Sequence, residues 1–323
     1  MPKFQENISL AKFSHYQIGG AARFFFEPKN GQEVAWAVAE AKARRLPMFI
    51  LGGGTNLLLS DAGFDGLVIR PALASIEASG TAVEAGSGVS IDDLHAYLIA
   101  HSLSGFEWAG GLPGTLGGAI RGNAGCFGGE TKDIVASVRS FDPETMQTVD
   151  RAAPECAFGY RDSVFKHGGA GEIILSAKLS FMKGDRQAIA QAVREKIEHR
   201  AKNHPLEYPN IGSMFKNVPL ATVCREGSEK YEEGLAKGSV RLDGSRFSVK
   251  TDPFPVVSAA KLISESGLRG VSYGGAMISA KHPNFIVNVL GASSEDVKAL
   301  MALAKAEVKR KFDVDLEEEV QIV

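Results

Sequence analysis

Residues 105–129, GFEWAGGLPGTLGGAIRGNAGCFGG, are the stretch from which the fold can best be predicted, and ten of them are glycine. Because glycine has no Cβ atom, a backbone this rich in it can turn tightly and approach a ligand closely. Consecutive N–H groups in such a loop form a concavity that suits a phosphate group. A second loop of this kind, LGGGTNLLLS at residues 51–60, continues an apolar run. Two separated glycine loops predict a long ligand with a diphosphate at its centre, such as a dinucleotide.

A pair of flexible surface loops is the alternative interpretation, but the Ile, Leu, Trp and Phe side chains in these loops are unusual for flexible linkers. Neither loop carries a common nucleotide fingerprint. Leu57 stands where a GxGxxG pattern starting at Gly52 needs its third glycine, and GxxxxGK[ST] does not occur in the sequence. The sequence therefore argues against a standard Rossmann domain and against a P-loop NTPase.

The composition is typical of an ordinary soluble protein, with 44% hydrophobic residues, 23% charged residues and a formal net charge of -2. A chain of 323 residues is long enough for two or three domains with substantial cores. Since there is no overall basic excess, we expect no nucleic-acid partner.

The cysteines Cys126, Cys156 and Cys224 are widely spaced and include no CxxC pair, which argues against a disulfide framework or a structural zinc site. The histidines show no HExxH or paired spacing, so we expect no metal site. The first residues, MPKFQENISLAKF, lack the apolar core of a signal peptide. No run reaches the ~18 apolar residues that span a membrane. We therefore expect a cytoplasmic protein without a membrane partner.

The first part of the chain predicts a β-α-β unit. An apolar strand at 23–27 is followed by a helix that Asn30 caps and that continues to about Leu46, with apolar residues spaced for one face. The second strand, at 48–51, leads into the first glycine loop. Ligands of α/β proteins usually bind at this carboxyl end of a strand.

The remaining elements follow from alternation, caps and turn residues. Strands are predicted at 67–70, 82–85 and 172–182, a hairpin at 134–141 and 146–149, and helices from Ser90 to about His101 and at 186–202. The proline-containing segment HPLEYPN at 204–210 predicts a domain boundary. Residues 220–255 are predicted to be an insertion or β-excursion. The tail predicts helices at 258–267 and 295–312 and strands at 285–290 and 319–323.

Three polar segments are candidates for chemistry. Arg161, in the segment YRDS, is suited to bidentate pairing with a carboxylate or phosphate, although a surface Arg–Asp ion pair is equally compatible with the residue types. Ser213 lies in IGSMFKN, outside a GxSxG elbow, and is better suited to proton donation than to acyl transfer. A structural serine at a turn is the alternative. In the terminal LEEEV, a regular strand would point one carboxylate inward, whereas such a run is usually a solvated end.

These segments, in this order, resemble the UDP-N-acetylenolpyruvoylglucosamine reductase (MurB) family, flavoenzymes of bacterial peptidoglycan synthesis. The resemblance extends from about residue 7 to residue 323. The matching segments are IGGAARFF, LGGGTNLLLSDAGFDGLVI, GLPGTLGGAIRGNAGCFG, FGYRDSVFK, PLEYPNIGSMFKN, LISESGLRG, KHPNFIVN and LEEEV.

The resemblance implies an α+β fold with a two-part FAD-binding domain of the PCMH (vanillyl-alcohol-oxidase) type at 1–203, divided near residue 70. A smaller α/β substrate-binding domain would follow at 204–323, with its last strand returning to the active site. FAD would be bound non-covalently. The cofactor-binding residues implied by the match are Gly52, Gly53, Gly54, Thr55, Asn56, Pro113, Gly114, Thr115, Gly117, Gly118, Asn123, Ala124 and Gly125.

The family reaction implies that NADPH reduces FAD, which then reduces the enolpyruvyl ether of UDP-N-acetylglucosamine. By the match, Ser213 is the proton donor, while Arg161 and Glu319 share the stabilisation of charge that develops at the substrate carboxylate. Tyr160, Lys216 and Asn217 match positions near the substrate. We expect a monomer whose partners are these small molecules.

Two other functions are compatible with parts of the sequence. One is a flavin-dependent oxidase or dehydrogenase of the same flavin-binding class that acts on another alcohol. It requires the GSMFKN and LEEEV matches to be accidental. The other is a nucleotide-sugar-binding regulator on a reductase scaffold that has lost its activity. Loss of Arg161, Ser213 or Glu319 would indicate the regulator, and the sequence retains all three.

Overall fold

The computed structural model describes residues 2–167, 171–224, 226–251 and 254–323. The chain folds into two compact units. The N-terminal unit comprises Met1–Leu10, Ala21–Gly54 and Ala62–Lys202, and the C-terminal unit comprises Ala11–Gly20, Thr55–Asp61 and Asn203–Val323. Both units combine helices with β-sheets, which confirms the predicted α+β class.

The first sheet of the N-terminal unit has four strands in the order Gln5–Ser9, Ala21–Phe26, Phe64–Ile69 and Met48–Ile50, of which the last three are parallel. The helix Gly31–Ala43 begins at Asn30, whose side chain accepts a hydrogen bond from the Glu33 N–H at 2.9 Å. The predicted β-α-β unit is confirmed, although its two strands are not neighbours, because Phe64–Ile69 lies between them and pairs with both.

The second sheet of this unit is antiparallel throughout. Its strands lie in the order Gln147–Ala152, Val135–Asp142, Ile173–Ser180, Ala82–Gly86 and Ile76–Ser79, so that the predicted hairpin is confirmed. Ser90 caps the helix Ile91–Ala100, as its sequence predicts, and accepts from the Asp93 N–H at 3.0 Å. The other α-helices here are Leu116–Arg121 and Arg186–Asn203. Two further strand pairs join Leu103–Ser104 to Met182–Lys183 and Gly125–Cys126 to Gly129–Glu130.

The C-terminal unit contains three small sheets and four α-helices among its described residues. One sheet has the order Val218–Pro219, Val256–Val257, Ser245–Lys250 and Ser239–Leu242, and another has the order Ser272–Tyr273, Ala276–Ile278 and Ile286–Asn288. The third pairs Gln321–Ile322 with Leu57–Leu58 in parallel. The helices are Leu220–Val223, Glu229–Lys237, Ala259–Glu265 and Ser294–Phe312.

Two predictions for this unit were only partly correct. The predicted insertion or β-excursion at 220–255 contains a β-hairpin, Ser239–Leu242 with Ser245–Lys250, but also two helices that were not predicted. Arg225, Asp252 and Pro253 of that stretch lie outside the described residues. The helix Glu229–Lys237 was missed because it is nine residues long and mostly charged, and its apolar side chains against the core are Tyr231 and Leu235. The terminal strand is also shorter than predicted.

Two classes of feature are not found in the part of the chain that the structure describes. None of its helices has the length and apolar character needed to cross a membrane. No three of its His, Cys, Asp or Glu side chains are grouped so that they could hold a metal ion. Cys126, Cys156 and Cys224 are free thiols.

We expect Tyr16→Phe to lower the free energy of unfolding of the C-terminal unit by about 1–3 kcal/mol. Tyr16 is fully buried, and its hydroxyl donates to the Ile286 carbonyl at 2.6 Å, so the substitution leaves a buried acceptor without its donor. Chemical denaturation measures the change. Tyr273→Phe, at a side chain that is 58% exposed, is the control and is expected to have little effect. Equal stability of the two variants would contradict this role for the Tyr16 hydroxyl.

Candidate functional site

The two predicted glycine loops meet in the N-terminal unit. A Cβ atom on Gly53 would lie 2.7 Å from Gly114 Cα, and one on Gly52 would lie 3.2 Å from Thr115 Oγ1. Gly54 has φ +64° and Gly114 has φ +116°, a region of backbone conformation that other residues rarely adopt. Loops that are distant in sequence therefore form one structure, and its contact surface is backbone rather than side chain.

The second loop continues into the helix Leu116–Arg121. Thr115 caps this helix by accepting from the Gly118 N–H at 3.4 Å. The Gly117 N–H donates to the Ser87 carbonyl at 2.9 Å, and a Cβ on Gly117 would lie 2.8 Å from Ser87 Cβ. Pro113, which precedes Gly114, begins the part of the loop that Gly53 approaches. All the predicted residues of this loop thus lie together.

Ser87 is a residue that the sequence motifs did not identify. Its side chain is buried, and its hydroxyl has no hydrogen-bond partner within the described residues. A buried hydroxyl without a partner is costly, so the position suits a bound polar group that would supply one. Together with the close backbone contact at Gly53, this hydroxyl fits a dinucleotide such as FAD. A single serine after a strand has no sequence signature, which is why it was missed.

Asn123 joins the glycine-rich stretch to the turn that carries Arg161. It is fully buried at φ +41°, its side-chain NH₂ donates to the Gly159 carbonyl at 2.8 Å, and its Oδ1 accepts from the Lys132 N–H at 3.0 Å. The Ala124 carbonyl accepts from the Thr131 N–H at 2.9 Å. The structure therefore gives Asn123 and Ala124 a positioning role, and their contact with a cofactor stays a prediction.

Arg161 lies beside the glycine-rich stretch. It occupies a tight turn closed by paired Gly159 and Asp162, and its own φ is +56°. A Cβ on Gly125 would lie 3.3 Å from Arg161 Nη1, and the guanidinium carbon lies 5.3 Å from the centre of the Tyr160 ring. A cation and an aromatic ring, both predicted from sequence, are thus brought to the predicted cofactor loop.

Cys126, inside the glycine-rich stretch, is not suited to act as a nucleophile. Burial raises the pKa of its thiol, while the nearby guanidinium groups of Arg200 and Arg161 oppose that rise. The thiol donates to the Trp108 carbonyl at 3.3 Å, and Arg200 Nη2 lies 2.9 Å from the sulfur. Since the thiolate is the nucleophilic form, the net raised pKa argues against thiol chemistry here.

The C-terminal unit brings Ser213 and Glu319 onto adjacent backbone segments. The Glu319 N–H donates to the Met214 carbonyl at 2.8 Å, and Phe215 and Glu318 form an isolated antiparallel bridge. This contact explains the short terminal strand, because Glu319 bonds to the Ser213 segment before the strand Gln321–Ile322 begins. Ser213 itself is partly exposed.

Asn56, which follows Thr55 at the end of the first glycine loop, is hydrogen-bonded to the terminal segment that contains Glu319. Its side-chain NH₂ donates to the Glu319 carbonyl at 3.1 Å, and its own carbonyl accepts from the Gln321 N–H at 3.1 Å. The predicted cofactor residue Asn56 and the predicted catalytic residue Glu319 are therefore neighbours. The sequence does not indicate this pairing, because the two residues are far apart along the chain.

Lys216 and Asn217, predicted to lie near the substrate, have partners within the C-terminal unit. Lys216 Nζ forms an ion pair with the Glu317 carboxylate, whose side chain is 72% exposed. Asn217 Oδ1 accepts from the Ala259 N–H at 3.3 Å, at the start of the helix Ala259–Glu265. Both residues share a segment with Ser213, and their substrate contacts stay predictions.

Family models of known proteins match both the N-terminal and the C-terminal part of the chain. The family model "FAD binding domain" matches residues 22–148, and the model "UDP-N-acetylenolpyruvoylglucosamine reductase, C-terminal domain" matches residues 204–323. The chain is 34% identical over 322 residues to a UDP-N-acetylenolpyruvoylglucosamine reductase of Caldanaerobacter subterraneus, covering 99% of this chain and 94% of that protein. It is 33% identical to one of Listeria monocytogenes, covering 98% and 94%.

A solved structure is similar over the same length. The crystal structure of UDP-N-acetylenolpyruvylglucosamine reductase (MurB) from Thermus caldophilus matches with a TM-score of 0.75 at 26% identity, covering 99% of this chain and 98% of that one. The match includes the segments that contain the glycine loops, Arg161, Ser213 and Glu319.

We expect Gly53→Ala to weaken FAD binding. Gly53 does not have a positive φ, so the added Cβ tests space alone, and its nearest neighbour is backbone that cannot rotate away. Overpacking of this kind costs about 1–3 kcal/mol, and if all of it falls on binding, affinity is lost roughly fivefold to 150-fold. Titration of the apoprotein with FAD, followed by flavin fluorescence, measures it.

Gly31→Ala is the matched control, because its Cβ would lie at an ordinary 3.5 Å from Leu175 Cδ1. The control is expected to bind FAD as the unmodified protein does. Unchanged affinity in Gly53→Ala would show that FAD does not depend on the close contact of the two loops.

Proposed function

Since the chain belongs to the UDP-N-acetylenolpyruvoylglucosamine reductase family, we propose that it reduces UDP-N-acetylglucosamine enolpyruvate to UDP-N-acetylmuramate with NADPH, as a UDP-N-acetylmuramate dehydrogenase of peptidoglycan synthesis. The observation that carries this proposal is the similarity over almost the whole length of reductases of that name, at 34% identity and 94% coverage of the relative. Both the FAD-binding portion and the C-terminal portion match.

The proposed domain organisation assigns residues 1–203 to FAD binding, in two subdomains divided near residue 70, and residues 204–323 to substrate binding. The family models support this assignment over residues 22–148 and 204–323, whereas residues 11–20 and 55–61 pack with the C-terminal unit. We further propose that the enzyme works as a monomer in the cytoplasm.

Non-covalent FAD would be held by the two glycine loops, at 52–56 and 113–118, with residues 123–125 close to it. When bound, FAD supplies the reducing equivalents that come from NADPH. The loops contribute backbone N–H groups and exclude side chains from the space of the diphosphate. Ser87 adds a hydroxyl whose hydrogen-bonding capacity the described residues leave unused.

The proposed task of Ser213 is to donate a proton to the substrate carbon that becomes carbanionic. A serine hydroxyl is a weak acid in water, so it needs a neighbour that stabilises its alkoxide or passes it a proton. Lys216, three residues away and paired with Glu317, is the candidate for that role. Arg161 would bind the substrate carboxylate, and Glu319 would act as an acid at the same group while charge develops there.

Tyr160, Lys216 and Asn217 would position the substrate. Such positioning would raise the reaction rate, because the enol ether must be held in one orientation. The Tyr160 ring beside the Arg161 guanidinium supports a joint role for the pair. Lys216 and Asn217 lie in the same segment as Ser213, which supports a role for them in positioning the substrate.

A flavin-dependent oxidase or dehydrogenase acting on another alcohol is the alternative. It requires the GSMFKN and LEEEV segments to match by accident. The C-terminal family model covers residues 204–323, which include both segments, so the reductase is favoured.

The test of the proposed function is an anaerobic spectrum of the purified protein, recorded before and after NADPH and again after UDP-N-acetylglucosamine enolpyruvate. The proposal expects a yellow protein that NADPH bleaches and that the sugar reoxidises. A yellow protein that the sugar leaves reduced would contradict it and favour the alternative. Reaction with molecular oxygen in place of NADPH-dependent turnover would do the same.

We expect Ser213→Ala to keep NADPH-dependent reduction of the flavin but to slow reoxidation by the sugar at least about a hundredfold, the usual scale of general acid catalysis. Glu319→Gln is expected to behave similarly. Stopped-flow absorbance separates the two steps. Ser272→Ala, at an exposed serine of the same unit, is the control and is expected to be unchanged. Near-normal reoxidation in Ser213→Ala would remove Ser213 from the mechanism.

A further inference from the structure

We propose that Asn284 is a positioning residue that fixes the backbone on which Ser213 and Glu319 lie. The reaction in which they act is that of the proposed function, so this inference rests on it. Asn284 belongs to the segment KHPNFIVN, which matches the family but has been given no role above. It is 3% exposed, which is unusual for a polar side chain unless its hydrogen bonds are made.

Asn284 bonds through its side chain to both backbone polar groups of Phe215. Its side-chain NH₂ donates to the Phe215 carbonyl at 2.8 Å, and its Oδ1 accepts from the Phe215 N–H at 3.1 Å. Its own backbone carbonyl accepts from the Met214 N–H at 2.8 Å. One residue thus makes three hydrogen bonds to two consecutive residues, as a neighbouring strand would. A carboxamide suits this task, because it carries a donor and an acceptor side by side.

The same short segment, residues 214–216, is also hydrogen-bonded to the backbone of Glu317 and Glu319. The N–H of Met214 bonds to Asn284, and the carbonyl of Met214 accepts from the Glu319 N–H at 2.8 Å. The Lys216 N–H donates to the Glu317 carbonyl at 2.9 Å. Residues 214–216 therefore lie between Asn284 on one side and residues 317–319 on the other. A shift of this segment would move both predicted catalytic residues together.

Ser213 is joined directly to this segment through Met214. On its other side, the Gly212 N–H donates to Asn210 Oδ1 at 3.1 Å. Gly212 has φ +84°, and an added Cβ there would meet nothing within 4 Å. The Met214 and Phe215 side chains are buried. The three bonds from Asn284 begin at the residue that directly follows Ser213, so they set the backbone from which the Ser213 hydroxyl projects.

Asn284→Ala tests this role, with Asn288→Ala as the matched control. Asn288 is an equally buried asparagine four residues away, at 8% exposure, whose side chain donates to the Tyr16 carbonyl at 3.0 Å and accepts from the Ala292 N–H at 2.7 Å. It makes the same number of side-chain bonds without bonding to residues 213–216. Loss of a buried amide is therefore common to both variants, and contact with the Ser213 segment is not.

We expect Asn284→Ala to slow reoxidation of the reduced enzyme by the sugar about tenfold to a hundredfold, the cost of misplacing a catalytic group. Reduction by NADPH is expected to stay near normal. In the Ser213→Ala background the same substitution should add less than about threefold, because residues that act as a unit are not additive. Asn288→Ala should keep near-normal reoxidation, and its small effect should be the same in both backgrounds.

Hydrogen exchange provides a readout that needs no activity. The amides in residues 211–217 are expected to exchange faster in Asn284→Ala than in Asn288→Ala. Asn284→Asp is the second variant if Asn284→Ala does not fold. It keeps the size and the acceptor for the Phe215 N–H but faces the Phe215 carbonyl with a second acceptor, and it is expected to show the same slow reoxidation.

Equal reoxidation rates and equal exchange in the Asn284 and Asn288 variants would overturn the inference. Full additivity of Asn284→Ala with Ser213→Ala would overturn it as well. If the unmodified enzyme is bleached by NADPH but not reoxidised by the sugar, the proposed function fails instead. The exchange comparison then still decides whether Asn284 holds the segment.

Discussion

The close contact between Gly53 and Gly114 is the constraint on which the N-terminal unit depends. A Cβ atom at Gly53 would lie 2.7 Å from the backbone of Gly114, so two loops from different sheets can meet only as bare backbone. The parallel sheet delivers one loop at the end of Met48–Ile50, and the antiparallel sheet supports the other through Ser87. The architecture of the unit thus brings the peptide groups of both loops together, where we propose that the diphosphate of a long anionic ligand binds.

In the C-terminal unit, hydrogen bonds hold the backbone that carries the predicted catalytic residues. Its predicted catalytic groups lie on irregular backbone, at Ser213 and Glu319, where no long strand or helix fixes their positions. Hydrogen bonds from Asn284 and to Met214 supply the missing order, and Asn56 bonds to the backbone of Glu319 and Gln321. Precise placement here comes from a few polar contacts rather than from regular secondary structure.

Local patterns predicted much of this fold. The sequence correctly predicts the helix caps Asn30 and Ser90 and the turn between 141 and 147, because each is determined by a few neighbouring residues. The helix Glu229–Lys237 was missed, since it is short and mostly charged. The pairing of Asn284 with Phe215 and the buried hydroxyl of Ser87 depend on tertiary contacts, which no periodicity or motif in one sequence encodes. Family resemblance supplied the predicted site residues, but not the groups that hold them.

The measurement that tests the central claim most directly is the affinity of the apoprotein for FAD compared with riboflavin. Riboflavin has the same ring system but lacks the diphosphate that the two glycine loops are inferred to bind, together with the adenosine attached to it. The account predicts that riboflavin binds at least about a hundredfold more weakly, a difference of roughly 2.7 kcal/mol that the charge-assisted bonds to phosphate would supply. Similar affinities for the two ligands would contradict it, because the loop contact would then have no part in binding the cofactor.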